Sequence, residues 1–280
     1  MPPTLNQRIQ QFYDRSSNLW EEIWGEHMHH GYYGPDGAEK KERRQAQIDL
    51  IEAVLQWAEI TQAQDILDVG CGIGGSSLYL AERYGAIATG ITLSPVQANR
   101  ASERAQEAGI AASFQVSDAL QMPFADGSFD FVWSMESGEH MPDKEQFLRE
   151  CVRVLKPGGK LLMVTWCHRP ATSETPLTAA ENQLLEKIYD IYCLPYVISL
   201  PEYEAIAQTL PVQNIRTADW STAVAPFWDE VIDSAITPAA ILGLLRSGWT
   251  TIRGAFAIRL MQQGYRQGLI RFGLLTAQKL

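Results

Sequence analysis

Apolar and polar positions change period repeatedly along this chain, and each change marks a predicted element. Residues 7–24 place Ile9, Phe12, Tyr13, Leu19, Trp20, Ile23 and Trp24 at roughly helical spacing, which predicts an amphipathic helix. His27 to Pro35 is an aromatic, turn-rich loop, and a second helix is expected over about 39–58. From Asp65 onward, short apolar runs alternate with helix-compatible stretches. Strands are expected at 65–69, 87–93, 114–116, 129–135 and 160–166. Helices are expected over 76–84, from Pro95 behind an N-capping Ser94, and over about 144–155 before the stop Lys156-Pro157-Gly158-Gly159. Such alternation implies a parallel sheet with right-handed crossovers. Beyond Trp166 it lapses. Loop and helix run to about residue 205, strands six and seven are expected at 212–220 and 270–277, and a long helical region lies over about 227–265. The expected fold class is α/β: a doubly wound, seven-stranded, mostly parallel sheet. Residues 1–60 would form a helical lid, and 61–280 the sheet domain with a helical cap at about 168–205 and 227–265.

Chemistry concentrates where the first strand ends. Asp65-Ile66-Leu67-Asp68-Val69 runs straight into Gly70, Gly72, Gly74 and Gly75, four glycines within six positions, and a helix follows. This is a buried strand, a tight turn that lets a ligand approach bare backbone, and a helix N-terminus behind it. Dehydrogenases use a related loop to cradle a pyrophosphate, so glycine spacing alone is weak. Asp68 shifts the balance, because a carboxylate there repels a diphosphate but suits the cationic amino-acid end of S-adenosylmethionine. That points to methyl transfer. As a buried cap for loop amides, Asp68 would look identical in sequence. Ligands of such sheets bind beyond the carboxyl ends of the strands, where strand order reverses. Asp118 is then placed to accept from an adenine amine, with the Ala119 amide as donor. The acid that usually ends strand two is missing from Gly90-Ile91-Thr92-Leu93-Ser94, leaving Thr92 and Gln97 as neutral partners for a ribose.

Composition narrows the classes further. The chain has 280 residues and a net charge of −10, which disfavours a nucleic-acid partner. No apolar run approaches a membrane span, and the N-terminus shows neither signal-peptide nor transit-like character. Cys71, Cys151, Cys167 and Cys193 are scattered, and the adjacent His29 and His30 face different ways, so no metal is expected. Charge is uneven: Thr237 to Leu280 holds six basic and no acidic residues, leaving −16 on the remainder. Arg246 and Arg253, like Arg259 and Arg266, share helical faces beside Leu242, Leu245, Trp249 and Phe256. A basic amphipathic helix of this kind suits an anionic bilayer surface, or else a core-facing helix with solvated arginines.

Three segments carry a resemblance to class I S-adenosylmethionine-dependent methyltransferases: Leu67 to Gly75, Met122-Pro123-Phe124-Ala125-Asp126-Gly127-Ser128-Phe129-Asp130, and Val154-Leu155-Lys156-Pro157-Gly158-Gly159. More particular are Leu19 to Tyr33, Glu136-Ser137-Gly138-Glu139-His140-Met141, Thr165 to Pro170, Tyr192 to Tyr196 and Arg271 to Thr276. With these the chain resembles the γ-tocopherol C-methyltransferases of photosynthetic organisms over nearly its whole length, and the lack of a transit-like leader suits a cyanobacterial member. Plant alkaloid N-methyltransferases are the nearest competitors. The resemblance implies methylation of a chromanol ring carbon, γ- to α-tocopherol and δ- to β-tocopherol, with S-adenosylhomocysteine as co-product. The substrate would be a lipophilic phenol, and the protein cytoplasmic with peripheral contact at a membrane.

A ring carbon is a poor nucleophile until its phenol loses a proton, so a base is expected. His140, after strand four, is the first choice, His168 the second, and Glu136 or Glu139 the third. The expected cofactor contacts are Tyr33, Asp68, Gly70, Cys71, Gly72, Gly74, Thr92, Leu93, Gln97, Asp118, Ala119 and Glu136; those to substrate are Trp24, His30, Tyr32 and Tyr192. Tyr32 and Tyr33 could face a sulfonium or simply pack the lid. An amine N-methyltransferase, which would favour an acidic aromatic pocket, and a non-catalytic S-adenosylmethionine-binding protein are the other readings.

Overall fold

The structure, a computed structural model, describes residues 3–235 and 249–280. Seven strands form one sheet in the order β3-β2-β1-β4-β5-β7-β6. They are β1 (Asp65–Val69), β2 (Ile87–Thr92), β3 (Ala112–Val116), β4 (Phe129–Met135), β5 (Leu155–His168), β6 (Val212–Asp219) and β7 (Ile270–Lys279). The first five pair in parallel, and β7 runs antiparallel between β5 and β6. This is the doubly wound, mostly parallel sheet that the alternation predicts. Its chain order reverses between β1 and β4, so the loops after these two strands face each other.

Alternating side chains divide the interior into two cores. On β5, Leu162, Val164 and Trp166 face one side, and Leu161, Met163 and Cys167 the other. The first side is covered by α2 (Arg43–Trp57), α3 (Gly75–Tyr84), α6 (Ala179–Tyr192), α9 (Pro226–Ala235) and α10 (Trp249–Arg266); the second holds α5 (Lys144–Val154) and α7 (Leu200–Gln208). Between β2 and β3 lies α4 (Pro95–Ala108), and α8 (Ser221–Val224) follows β6. Ser94 caps α4 through the Gln97 amide at 3.1 Å, with Pro95 in the first turn, as its sequence predicts.

Several features differ from expectation, among them two boundaries and the side on which one helix packs. The first helix, α1 (Leu5–Trp24), starts earlier because Thr4 and Gln7 form a reciprocal capping box. The turn-like Lys156-Pro157-Gly158-Gly159 does not precede β5 but bulges within it: Phe129 pairs with Leu155, and Phe131 already with Lys160. In the cap region α7 packs with Tyr203 in the second core, on the far side of the sheet from α6. The apolar and basic positions Leu242, Leu244, Leu245 and Arg246 lie outside the described residues, as do the side chains of Trp249, Ile252, Arg253 and Phe256. Among the described residues no helix is long and apolar enough to cross a membrane.

Candidate active site

The loop after β1 carries the backbone of the site. Gly72 adopts φ 53°, and a Cβ built there would meet only side-chain ends at van der Waals distance, Met28 Sδ at 3.9 Å and Gln97 Nε2 at 4.0 Å. Gly75 has another use. A Cβ there would collide with the Glu26 carbonyl, so the bare backbone lets the segment after α1 lie against the loop. Gly74 faces Phe114 and Ala101, where it caps α3 and packs it against the sheet.

Above this loop lies a cavity of about 130 Å³. Asp68, Gly70, Cys71, Gly72, Thr92, Leu93, Gln97, Asp118, Ala119 and Glu136 line it, so ten of the twelve expected cofactor contacts converge there. The two that do not are Gly74, turned into the packing just described, and Tyr33. Tyr33 donates its amide to Ala223 O and its ring sits in the core, because the chain turns inward at that point. Asp68 is buried and accepts from Ser77 Oγ at 2.5 Å. Burial, against the help of Ser77, pushes its carboxyl up to about 7. Thr92 donates to Gln97 Oε1 at 2.7 Å, so the two neutral residues expected to meet a ribose form a pair. Asp118 accepts from the Leu120 amide at 2.9 Å and from Asn6 Nδ2 at 2.7 Å.

Asn6 belongs to α1, which also lends Ile9 and Tyr13 to the cavity wall. Tyr13 on the same helix meets His140 Nε2 at 2.7 Å, Asp14 accepts from Ser94 Oγ at 2.5 Å, and Glu21 takes Arg100 Nη2 at 2.8 Å. Four tethers therefore fasten α1 to three different loops and to α4.

A second cavity, about 60 Å³, adjoins the first and is walled by Phe12, Trp166, Tyr192, Phe227 and Trp228. Tyr13, Met28, His29, Glu136 and His140 border both spaces and form their junction. Glu136 is fixed by an unusual backbone, φ 51°, and accepts from His30 N at 2.7 Å, His30 Nδ1 at 2.7 Å and Trp166 Nε1 at 2.9 Å. Burial works to raise this carboxyl, but the His30 imidazole beside it holds it below the ordinary carboxylate value. Glu139 is different: burial and then the Glu136 charge push it up to about 8, towards the uncharged form. His140 is drawn down to about 3 by burial and then by the Lys144 cation.

Among the expected substrate contacts, His30 and Tyr192 line the aromatic cavity. Tyr32 does not; it packs on Trp220 at 5.3 Å between ring centroids, on the outer surface. Trp24 ends α1, and its side chain lies outside the described residues. His168 also misses both cavities. It terminates β5 beside Ser199, with Nδ1 on the Arg169 carbonyl at 2.7 Å and Nε2 3.9 Å from Glu202. Asn6, Tyr13, Met28 and His29 are at the site without having been singled out for it. Only the helical spacing that includes Tyr13, and the paired histidines, hinted at them.

The groups present fit S-adenosylmethionine. A buried carboxylate with no cation beside it among the described residues complements an ammonium. The open face of Gly72 leaves room for a ligand, and Asp118 stands as acceptor at the other end.

A methyltransferase domain family model matches residues 67–163. A tocopherol O-methyltransferase of Arabidopsis thaliana chloroplasts is 50% identical, covering 98% of this chain and 82% of that protein. Norajmaline N-methyltransferase from Rauvolfia serpentina is 34% identical, covering 98% of each. Among solved structures, geranyl diphosphate C-methyltransferase from Streptomyces coelicolor A3(2), in complex with S-adenosyl-L-homocysteine, superimposes over all of both chains with a TM-score of 0.79 at 22% identity. The cofactor is S-adenosylmethionine, and with half its residues shared along nearly its full length the chain belongs to the tocopherol methyltransferase family of class I S-adenosylmethionine-dependent enzymes.

Proposed function

We propose that this enzyme methylates a ring carbon of a tailed chromanol, γ-tocopherol to α-tocopherol and δ- to β-tocopherol, releasing S-adenosylhomocysteine. The observation that carries this reading is the aromatic cavity joined to the cofactor space at five side chains. Its walls suit a flat, neutral ring. An amine substrate would call for a carboxylate aimed at its charge, but Glu136 spends both oxygens on His30 and Trp166, and burial pushes Glu139 towards its uncharged form. The N-methylating alternative is disfavoured on that ground.

S-adenosylmethionine, when bound, supplies an electrophilic methyl group. The chain's own contribution is placement and dryness. Asp68 and the backbone of Gly70–Gly72 would hold the amino-acid end, Thr92 and Gln97 the ribose, and Asp118 with Ala119 the adenine. The lid, tied down by Asn6 and Tyr13, excludes water from the junction. Holding reactants in near-attack geometry in such a pocket accounts for a large part of the barrier lowering.

Purified enzyme with labelled cofactor should transfer label to γ- and δ-tocopherol and leave an indole amine unlabelled. Proton magnetic resonance of the product should show a new aryl methyl with the phenol intact. A methoxyl resonance would move the reaction to oxygen, as the Arabidopsis relative's name has it, and label on the amine alone would overturn the assignment.

A cytoplasmic protein meeting its lipid-dissolved substrate at a bilayer surface completes the proposal. Much of the basic charge after Thr237 is offset within the fold: Arg266 pairs with Asp229, Arg271 with Asp219, and Lys279 donates to the Arg153 and Leu155 carbonyls. Arg259 stays exposed on α10. Vesicles with anionic lipid should therefore float a modest fraction of the protein, and equal recovery in solution with and without that lipid would exclude the contact.

A further inference from the structure

The carbon that is methylated in the proposed reaction neighbours the carbon bearing the hydroxyl, so the phenol oxygen lies two bonds from the point of attack. A base that removes its proton must therefore border both the cofactor cavity and the aromatic cavity. Only the junction residues do so among those described, and two of them are occupied: Glu136 by three donors, and Tyr13 by His140.

His29 is the remaining basic group with a defined lone pair. Its side chain is 95% buried, and Nδ1 lies 2.8 Å from the His30 carbonyl. A carbonyl only accepts, so Nδ1 must carry the ring proton, which leaves Nε2 as a bare acceptor. No protein atom among the described residues partners that nitrogen. His140 is less suited. Its Nε2 is committed to Tyr13, its Nδ1 has no partner among the described residues but is a bare acceptor only in the tautomer that donates from Nε2, and its neighbouring charge is the Lys144 cation, which opposes protonation. Around His29 the titratable groups are His27, 5.2 Å away ring to ring, His30 and the Glu136 carboxylate. Burial holds the His29 imidazole below its ordinary value, against the pull of the Glu136 carboxylate beside it.

We infer that His29 Nε2 is the general base that takes the phenol proton, with Glu136 stabilising the imidazolium that results. The inference rests on the chromanol reading. As the O–H bond breaks, its proton forms the new N–H bond at Nε2, and the electron pair enters the ring. The carbon–methyl bond forms while the methyl–sulfur pair returns to sulfur. The hydrogen on that ring carbon then leaves as a proton, aromaticity returns, and the oxygen recovers a proton from Nε2. One proton is released in the net reaction.

His29→Asn tests this, because an asparagine amide can still donate to the His30 carbonyl but has nothing at the Nε2 position. The expected result is a kcat for γ-tocopherol lower by about 100-fold or more, the usual scale of general-base loss. KM should stay within threefold, and calorimetric affinity for S-adenosylhomocysteine within twofold. The residual rate should climb about tenfold per pH unit between pH 7 and 9, since the variant must wait for phenolate formed in solution. Wild-type rate should be flatter over that range. A His29→Asn kcat within threefold of wild type overturns the assignment, as does loss of S-adenosylhomocysteine binding, which would make His29 a wall of the cofactor cavity. A 100-fold loss with the steep pH dependence in His140→Asn alone would transfer the role there. If wild-type enzyme leaves γ-tocopherol untouched, the chromanol reading itself has failed.

Discussion

Replacing Glu136 by alanine is expected to destabilise the fold by about 3–5 kcal/mol, the scale for leaving several buried donors without their acceptor at about 1–3 kcal/mol each. Three buried donors would lose their acceptor at once: the His30 amide at 2.7 Å, His30 Nδ1 at 2.7 Å and Trp166 Nε1 at 2.9 Å. His30 is enclosed by Phe227, Trp228, Tyr265 and Phe272, with ring centroids 4.9–5.7 Å away, so on that side the carboxylate is its polar partner. Glu136→Gln should lose less, because its amide oxygen still accepts while its NH2 group faces a donor. Backbone conformation adds a second signature. Position 136 sits at φ 51°, where a side chain costs about 1–2 kcal/mol relative to glycine. Glu136→Gly should therefore be more stable than Glu136→Ala, reversing the usual order. Urea unfolding of the three variants checks both statements. A loss below 1 kcal/mol for Glu136→Ala would mean that the carboxylate does not hold the histidine loop in place. Activity should fall with stability, since the same loop presents His29 and Met28 to the junction.

Local pattern carried the sheet and named many of the residues that line the candidate site. The apolar runs of β1, β4 and β5 alternate between two cores, and the glycines that interrupt β1 fix where backbone is bare; both are properties of neighbours in sequence. Asp68, Thr92, Gln97 and Asp118 follow from strand ends alone, since every loop at the carboxyl edge of a parallel sheet points to one place. The lid was not legible in this way. Asn6 reaches Asp118 across 112 positions and Tyr13 reaches His140 across 127, and nothing local specifies which face of α1 turns inward. The aromatic pair Tyr32 and Tyr33 looked better placed than Tyr13 because it adjoins the histidines. Yet Gly31 packs against Ala46 and Tyr33 bonds to Ala223, which steers the chain away from the cavity immediately after His30. His168 failed for a similar reason. Its strand runs beyond the junction, and its side chain emerges beside α7 rather than over the loops.

Asp68→Asn is expected to weaken binding of S-adenosylhomocysteine at pH 8 by about 1.5–3 kcal/mol, roughly 10- to 150-fold, the value of a hydrogen bond to a charged group. The sign of its pH dependence follows from burial. Without ligand the folded carboxyl holds its proton up to about pH 7, against an ordinary 3.8 in the unfolded chain. The free protein therefore loses stability as pH rises between those values, because the unfolded state is the one that ionises first. An ammonium placed beside Asp68 favours the carboxylate and lowers its pKa, so binding below pH 7 must expel a proton. Affinity should then rise by up to about tenfold per pH unit from pH 5.5 towards 7 and level off above it. In Asp68→Asn there is no proton to expel, and this slope should disappear. Titration calorimetry in two buffers of different ionisation enthalpy counts the proton directly: close to one released for wild type at pH 6, and none for the variant. An equal count and equal affinity in both proteins would remove Asp68 from the cofactor's amino-acid end and leave it as a cap for Ser77.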